Sequence, residues 1–334
     1  MKAVAYYQSL PIDHPEALVD IELPEPVIGE RDLLVQVRAI AVNPVDSKVR
    51  AGMPPEAGEA RVLGWDVAGV VLAVGSAVSL FKEGDAVYYA GALQRAGGNS
   101  ERHVVDERIV GRKPSSLSFA EAAALPLTAI TAWELLFERL AIKPDDRGTL
   151  LVVGAAGGVG SMLVQLARQL TTLTVIGTAS REQSQAWVRK LGAHQVVDHS
   201  QNLHSQLQQI GIAQVQHVAS LNHTDQHLDQ LIEVLAPQGQ LALIDDPKAL
   251  DILKLKPKSL SLHWEFMFTR AMFGTDDMQE QHHLLNTVAE LVDAGQLQTT
   301  LGEHFGLINS TNLRRAHQLL ESGQAVGKIV LEGF

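Results

Sequence analysis

At 334 residues the chain is longer than a single hydrophobic core usually supports, so two domains are expected. A composition of 46% hydrophobic and 19% charged residues is that of a globular protein, and a net charge of -11 disfavours nucleic acid as a partner. Cysteine is absent, which excludes disulfides and every thiolate metal site.

The opening residues, Met1-Lys2-Ala3-Val4-Ala5-Tyr6-Tyr7, lack the apolar core of a signal peptide. No stretch of roughly eighteen apolar residues is read, so nothing is expected to span a membrane and a cytoplasmic protein is expected. Residues 1 to about 115 read as β-rich. Asp32 to Val42 alternates in part, and Val67 to Val74 has the texture of a buried strand. Turns at Pro24-Glu25-Pro26, Pro54-Pro55, Glu83-Gly84-Asp85 and Gly97-Gly98-Asn99 separate short strands, as in a compact barrel or sandwich. The glycines between Gly91 and His103 suggest a flexible rim.

Ser118-Phe119-Ala120-Glu121 is a capping box, and an Ala/Leu-rich helix is expected from there to about Leu140. From Thr149 to about Ile244 strand-like and helical runs alternate. Leu150–Val153 precedes Val159–Leu170, Thr174–Thr178 precedes Gln183–Leu191, and Val215–Ala219 precedes Leu228–Leu235. Such alternation predicts an α/β region with a parallel sheet and crossover helices. Residues 284–294 and 311–322 read as amphipathic helices. Lys328-Ile329-Val330-Leu331 reads as a strand that rejoins the first domain.

The chemistry is clearest after the first strand of the alternating region. Leu150–Val153 runs into Gly154-Ala155-Ala156-Gly157-Gly158-Val159-Gly160, and Ser161 to Ala167 continues as a helix. Glycines let the backbone approach a pyrophosphate, and a helix N-terminus offers it free N–H groups and partial positive charge. Ala155 stands where the strict pattern has its first glycine; the order of strand, turn and helix supplies the context the motif requires. Ala155, Gly157, Gly158, Val159 and Gly160 are therefore assigned to cofactor binding. At the end of the next strand an NAD enzyme of this plan carries an acid for the ribose hydroxyls. That place is held by Ala179, and Ser180 and Arg181 follow. A hydroxyl and a planar cation suit a 2′-phosphate, which points to NADPH. The alternative is that Ser180 caps the next helix through Ser180-Arg181-Glu182-Gln183 and that Arg181 is a solvated charge. His199, after the third strand, is either a further neighbour of the phosphate or a surface histidine.

Several short segments together resemble the medium-chain dehydrogenase/reductase superfamily. They are Asn43-Pro44-Val45-Asp46, Gly64-Trp65-Asp66-Val67-Ala68-Gly69, Gly84-Asp85-Ala86-Val87, Leu125-Pro126-Leu127-Thr128-Ala129-Ile130-Thr131-Ala132 and the Ala155–Gly160 turn. The chain is more specifically similar to the zinc-free quinone oxidoreductase-like branch. Trp264 to Phe268 and the tail Gly327 to Phe334 resemble a bacterial subgroup labelled zinc-type alcohol dehydrogenase-like. The resemblance implies a Rossmann-type doubly wound parallel sheet over 126–264. It also implies a GroES-like β-rich catalytic domain over 1–125 and 265–334, an active site in the cleft, and a homodimer. Zinc-dependent members hold the ion with residues whose places here fall to Asn43, Trp65 and Leu127, leaving only the acid Asp66. Nor is any of the thirteen histidines read as part of a helical metal-binding pair; His282-His283 is read as facing solvent.

The resemblance places Asn43 and Asp46 near the nicotinamide and Thr131 at the nicotinamide end of the cofactor. Asn43 is either a hydrogen-bond donor to a developing oxyanion or a turn residue before Pro44. Asp46 is either a cleft residue or a cap for the local helix. Trp65 is either an apolar wall for a planar substrate or plain core, and Tyr88, Tyr89 and Phe266 to Phe268 are further lining candidates. Without a Lewis acid, a quinone or an α,β-unsaturated carbonyl is the easier hydride acceptor, because charge moves to a distant oxygen that hydrogen bonds can hold. The expectation is thus an NADPH-dependent oxidoreductase. The alternatives are a zinc-type alcohol dehydrogenase and a non-catalytic NADPH-binding protein.

Overall fold

The computed structural model describes residues 1–334. They form two compact units, Met1–Ile130 with Phe268–Phe334, and Thr131–Met267. In chain order the first unit comprises β1 (Lys2–Tyr6), β2 (Val19–Glu22), β3 (Asp32–Val42), α1 (Pro44–Gly52), β4 (Arg61–Val62) and β5 (Val67–Val74). It continues with β6 (Ala86–Tyr89), β7 (Arg102–Asp106), β8 (Val110–Arg112), α2 (Phe119–Ala123) and α3 (Pro126–Trp133), which runs on into the second. The second contains β9 (Thr149–Val153), α4 (Gly158–Leu170), β10 (Thr174–Thr178), α5 (Glu182–Lys190), β11 (Gln195–Val197) and α6 (Leu203–Gln209). After these come β12 (Val215–Ser220), α7 (Thr224–Val234), β13 (Leu235–Leu243) and β14 (Ser261–Trp264). The chain returns to the first unit with α8 (Thr269–Phe273), α9 (Glu280–Asp293), β15 (Leu301–His304), α10 (Ser310–Glu321) and β16 (Lys328–Glu332).

In the first unit β2-β1-β4 form a small antiparallel sheet, and β15-β16-β3-β5-β6-β8 form the main sheet, with β7 also paired to β3. The centre is β3. Its run of Leu, Val, Ile and Ala suits a pleated, buried surface, and β5, β7 and β16 all pair with it antiparallel. The C-terminal strand is thereby laid along the residues that lead into Asn43: Ile329 pairs with Val42 and Val330 with Ala41.

In the second unit all strand pairs are parallel, in the order β11-β10-β9-β12-β13-β14. Counted within the unit this is 3-2-1-4-5-6, the dinucleotide-binding order, whose reversal point lies between β9 and β12. Leu151, Val153, Ile176, Val218, Leu231 and Leu241 are fully buried across this sheet. Each such side chain contributes about 1.5–3 kcal/mol on burial.

Three sequence expectations need correction. The single helix to Leu140 is broken: α2 ends at Ala123, Pro126 opens α3, and Glu134–Arg139 are wound as a π-helical turn. Proline lacks the N–H an unbroken helix would need, yet suits a helix start. The stretch Phe119–Arg139 is also long and apolar enough to cross a membrane by length and composition, contrary to the expectation above; 83% of its apolar 18-residue window is buried inside the protein. Finally, Gly97 and Gly98 are packing positions within the supposed flexible rim. Both are buried, and a Cβ on Gly97 would lie 2.2 Å from the Leu63 carbonyl carbon. The Gly97, Gly98 and Asn99 N–H groups donate to Val62, Gly64 and Leu63 carbonyls.

Candidate active site

Asn43, Asp46 and Trp65 come together in the first unit. Pro44 opens α1, and Asp46, in its first turn, accepts from the Asn43 N–H at 2.8 Å and from the Gly64 N–H at 2.8 Å. This is the helix-cap and loop geometry. Asp66, next to Trp65 at the head of β5, accepts from the Leu127 N–H at 2.8 Å on one oxygen. Its other oxygen accepts from the Asn43 amide at 2.8 Å and from the Lys328 ammonium at 2.8 Å. Lys328 also donates to the Val42 carbonyl at 3.0 Å and to the Asn43 side-chain oxygen. Asn43, Asp46, Asp66 and Lys328 are each 3% exposed or less.

Burial raises the Asp66 carboxyl, opposed first by the Lys328 charge and then by its hydrogen bonds. Burial pushes Asp46 up to about 7, opposed by the Asn43 and Gly64 N–H groups. The amide of Asn43 is occupied within the fold, so the idea of a donor waiting for an oxyanion does not describe it here. Sequence reading missed Lys328, although a lysine beside the apolar run Ile329-Val330-Leu331 was the available signal.

These residues can be tested against a zinc ion, which needs about three N, S or O ligands. Trp65 and Leu127 offer no side-chain ligand. Asn43 offers an oxygen already facing an ammonium, and Asp66 is neutralised by that same ammonium. No group of three or more His, Asp or Glu side chains is placed to hold a metal. The residues do not fit zinc.

Trp65 is 1% exposed; its indole N–H donates to the Ala92 carbonyl at 3.3 Å and its ring meets Phe268 edge-on at 6.3 Å. It is core rather than an open wall. Tyr88 and Tyr89 are likewise fully buried: Tyr88 donates to the Leu285 carbonyl, and Tyr89 meets His103 Nδ1 at 2.9 Å. Of Phe266, Met267 and Phe268, only Phe266 is exposed, at 47%. His282, read as facing solvent, is buried, with Nδ1 on the Val110 carbonyl.

The residues expected to bind a cofactor, Thr131 apart, lie in the second unit at the carboxyl ends of β9, β10 and β11. Gly157 is the N-cap of α4 and has no side-chain cap, so the first-turn N–H groups of Gly158, Val159 and Gly160 are without intrahelical acceptors. The turn is tight: a Cβ on Gly160 would lie 2.5 Å from the Gly154 carbonyl oxygen and 2.6 Å from Ala155 Cα. Ala155 is fully buried, while Gly157, Gly158 and Val159 are half-buried. This is a cradle that fits a pyrophosphate. Ser180 and Arg181 are exposed at the end of β10. The capping alternative for Ser180 is overturned: the N-cap of α5 is Arg181, whose N–H donates to Ser184 Oγ at 3.2 Å. His199 stands beside the turn, Nδ1 3.0 Å from Thr178 Oγ1, and that same hydroxyl oxygen accepts from the Gly154 N–H at 3.1 Å. Thr131 lies on α3 and is 4% exposed.

No local pattern signals a buried acid pair in this unit. Glu134, on the π-helical turn, and Glu265, after β14, are 1% and 2% exposed, and burial together with the Glu134 charge raises the Glu265 carboxyl. Arg139 donates to the second oxygen of Glu265 at 2.8 Å. Also unread was the spacing His223-Thr224-Asp225-Gln226-His227, which places two imidazoles one turn apart at the start of α7.

Comparison with known proteins agrees with this architecture. The alcohol dehydrogenase GroES-like domain matches residues 29–132, and the zinc-binding dehydrogenase family matches 191–331. A zinc-type alcohol dehydrogenase-like protein of Staphylococcus aureus (strain MSSA476) is 36% identical, covering 99% of both chains. An NADPH-dependent alkenal/one oxidoreductase of Arabidopsis thaliana is 36% identical over 60% of this chain and 53% of its own. A protein of Rhizobium etli CFN 42 described as a zinc-dependent alcohol dehydrogenase superposes with TM-score 0.96 at 53% identity, covering 100% of this chain and 98% of the other. Escherichia coli quinone oxidoreductase complexed with NADPH superposes with TM-score 0.85 at 26% identity, covering 99% and 100%. The chain is an oxidoreductase that takes a nicotinamide cofactor, and it belongs to the quinone oxidoreductase-like branch of the medium-chain dehydrogenase/reductase superfamily, among the zinc-type alcohol dehydrogenase-like proteins.

Proposed function

We propose that the protein is an NADPH-dependent reductase of quinones or α,β-unsaturated carbonyls that works without catalytic zinc. The observation that carries the reading is the Lys328–Asp66 ion pair. It fills with a fixed ammonium the polar centre around which zinc members of the family are built. An acceptor that spreads its developing charge along a conjugated system has less need of a Lewis acid than a simple carbonyl. The cofactor supplies the hydride; the α4 N-terminus and the Gly157–Gly160 backbone hold its pyrophosphate, with Ala155 beneath them. Ser180 and Arg181, freed of a capping role for the serine, receive the 2′-phosphate, and Ala179 leaves no acid to repel it. The relatives named for NADPH, alkenals and quinones support the same reading. The protein is further proposed to act as a homodimer. Edge strand β14 ends in Trp264, 52% exposed, and the preceding turn exposes Ile252 and Leu253 at 59% and 75%, an apolar edge suited to a second copy.

The test is NADPH oxidation against quinones, 2-alkenals, simple ketones and alcohols, with zinc measured in the same preparation. Turnover of the conjugated acceptors by protein containing no zinc is expected. Activity confined to alcohols and simple ketones, lost on chelation, would overturn the proposal.

A further inference from the structure

Three histidines cluster where the second unit's sheet ends. His199 follows β11 and is tied to Thr178, the last residue of β10, the strand that delivers Ser180 and Arg181. His227 lies on the first turn of α7, its ring 5.8 Å from that of His199. His223 caps the same helix in the left-handed region (φ 51°) and accepts the His227 N–H on its carbonyl. The rings of His199 and His227 are half-buried. Packing two imidazoles together and away from water disfavours charging either, and both are held below the ordinary histidine range. For each the first cause is burial; the neighbouring imidazoles add to it. The charged groups facing the pair are acids: Asp198 beside His199, and Asp225 and Asp245 beside His227. Asp245 spends both oxygens on the Thr224 N–H and hydroxyl, and Asp198 spends one on Ser200.

Resting on the NADPH reading above, we propose that the His199–His227 pair is a protonation-coupled recognition element for the cofactor's 2′-phosphate. No arginine or lysine is among the groups that face the pair. Arrival of a phosphomonoester dianion beside His199 draws one proton from the buffer onto the pair. The imidazolium that forms can donate both N–H groups, one of them to Thr178 Oγ1, which is already in place. The phosphate thus adds an induced charge to the fixed charge of Arg181, and a cofactor without a 2′-phosphate draws no proton. Discrimination between NADPH and NADH then depends on pH: it is strongest where the imidazoles accept a proton readily and declines as pH rises.

Isothermal titration of the whole protein with NADPH and with NADH, in two buffers of different ionisation enthalpy, measures the protons taken up. Working between about pH 6.5 and 8.5 keeps the phosphate itself largely dianionic. Roughly one proton is expected with NADPH and none with NADH. The NADPH dissociation constant should rise up to about tenfold per pH unit while that of NADH stays flat. His199→Asn should abolish the proton uptake and flatten the NADPH curve, with its far-UV spectrum and melting curve confirming the fold. Equal uptake with both cofactors would assign the pair to the pyrophosphate and overturn the proposal, as would NADPH preference without any uptake. Equal affinity for the two cofactors at every pH would instead overturn the NADPH reading on which this inference rests.

Discussion

Around Asp66 the polar side chains face partners within the first unit, whereas the first turn of α4 in the second presents backbone N–H groups that helix geometry leaves without acceptors. Both places are rich in polar groups at the end of a strand. The first is closed: a carboxylate, an ammonium and an amide saturate one another at 3% exposure or less. It shapes its surroundings but has no capacity to spare for a ligand. The second is open, and its unsatisfied groups are all donors, which selects an anion. A count of polar residues would rank the two places the wrong way round; an account of which hydrogen-bonding capacity is already used separates scaffold from binding site.

Breaking the closed place should have the largest effect. Lys328→Met leaves Asp66 charged and buried without its partner, and should cost about 3–5 kcal/mol of stability, read by urea unfolding. Adding Asp66→Asn should recover part of that loss. If Lys328→Met unfolds at the parent's midpoint, the ion pair is not the anchor described here.

Closing the open place comes next. Gly160→Val forces side-chain atoms onto the Gly154 carbonyl and Ala155 Cα. It should weaken NADPH binding roughly 100-fold, near 2.7 kcal/mol, in a fluorescence titration. Arg181→Ala tests the rim of the same place. It removes a charge-assisted partner of the 2′-phosphate, so NADPH affinity should fall about 10-fold or more while NADH affinity stays within about twofold. Equal losses for both cofactors would place Arg181 elsewhere than on the 2′-phosphate.

The smallest effect sharpens the contrast from another side. Asp66 meets an ammonium, but Glu265 meets a second carboxyl group. Burial first, and then the Glu134 charge, push Glu265 up to about 9 from an ordinary 4.5. The folded protein therefore holds a proton there that the unfolded chain releases at neutral pH. Stability from this group is fully present below the ordinary value and is lost as pH rises toward 9. Glu265→Gln imitates the protonated form while keeping an acceptor for Arg139. Its melting temperature should exceed the parent's at pH 8, by a margin that shrinks toward pH 5. A margin independent of pH would show that Glu265 does not titrate in this range.

The strands and turns that build both units were largely legible. The β3 run, the Val67–Val74 strand, the capping box at Ser118 and the glycine turn after β9 are local patterns, and period, composition and turn chemistry specify them directly. The relation of Asp66 to Lys328 was not legible, because 262 residues separate the pair. It arises only when β16 aligns antiparallel to β3 beside Asn43. The same limit applies to Glu134 with Glu265 and to His199 with His227. The glycines at 97 and 98 show the converse: what reads locally as freedom is, in the fold, the room a neighbouring backbone occupies. The sequence by itself determined the two kinds of domain, the glycine-rich turn between strand and helix, and the identities of the residues at 43, 65 and 127, because each lies in residue identity and short-range order. Only the tertiary structure decided which polar groups are spent on one another and which remain for a ligand, because hydrogen-bond capacity is used up by partners that are distant in the chain and adjacent in space.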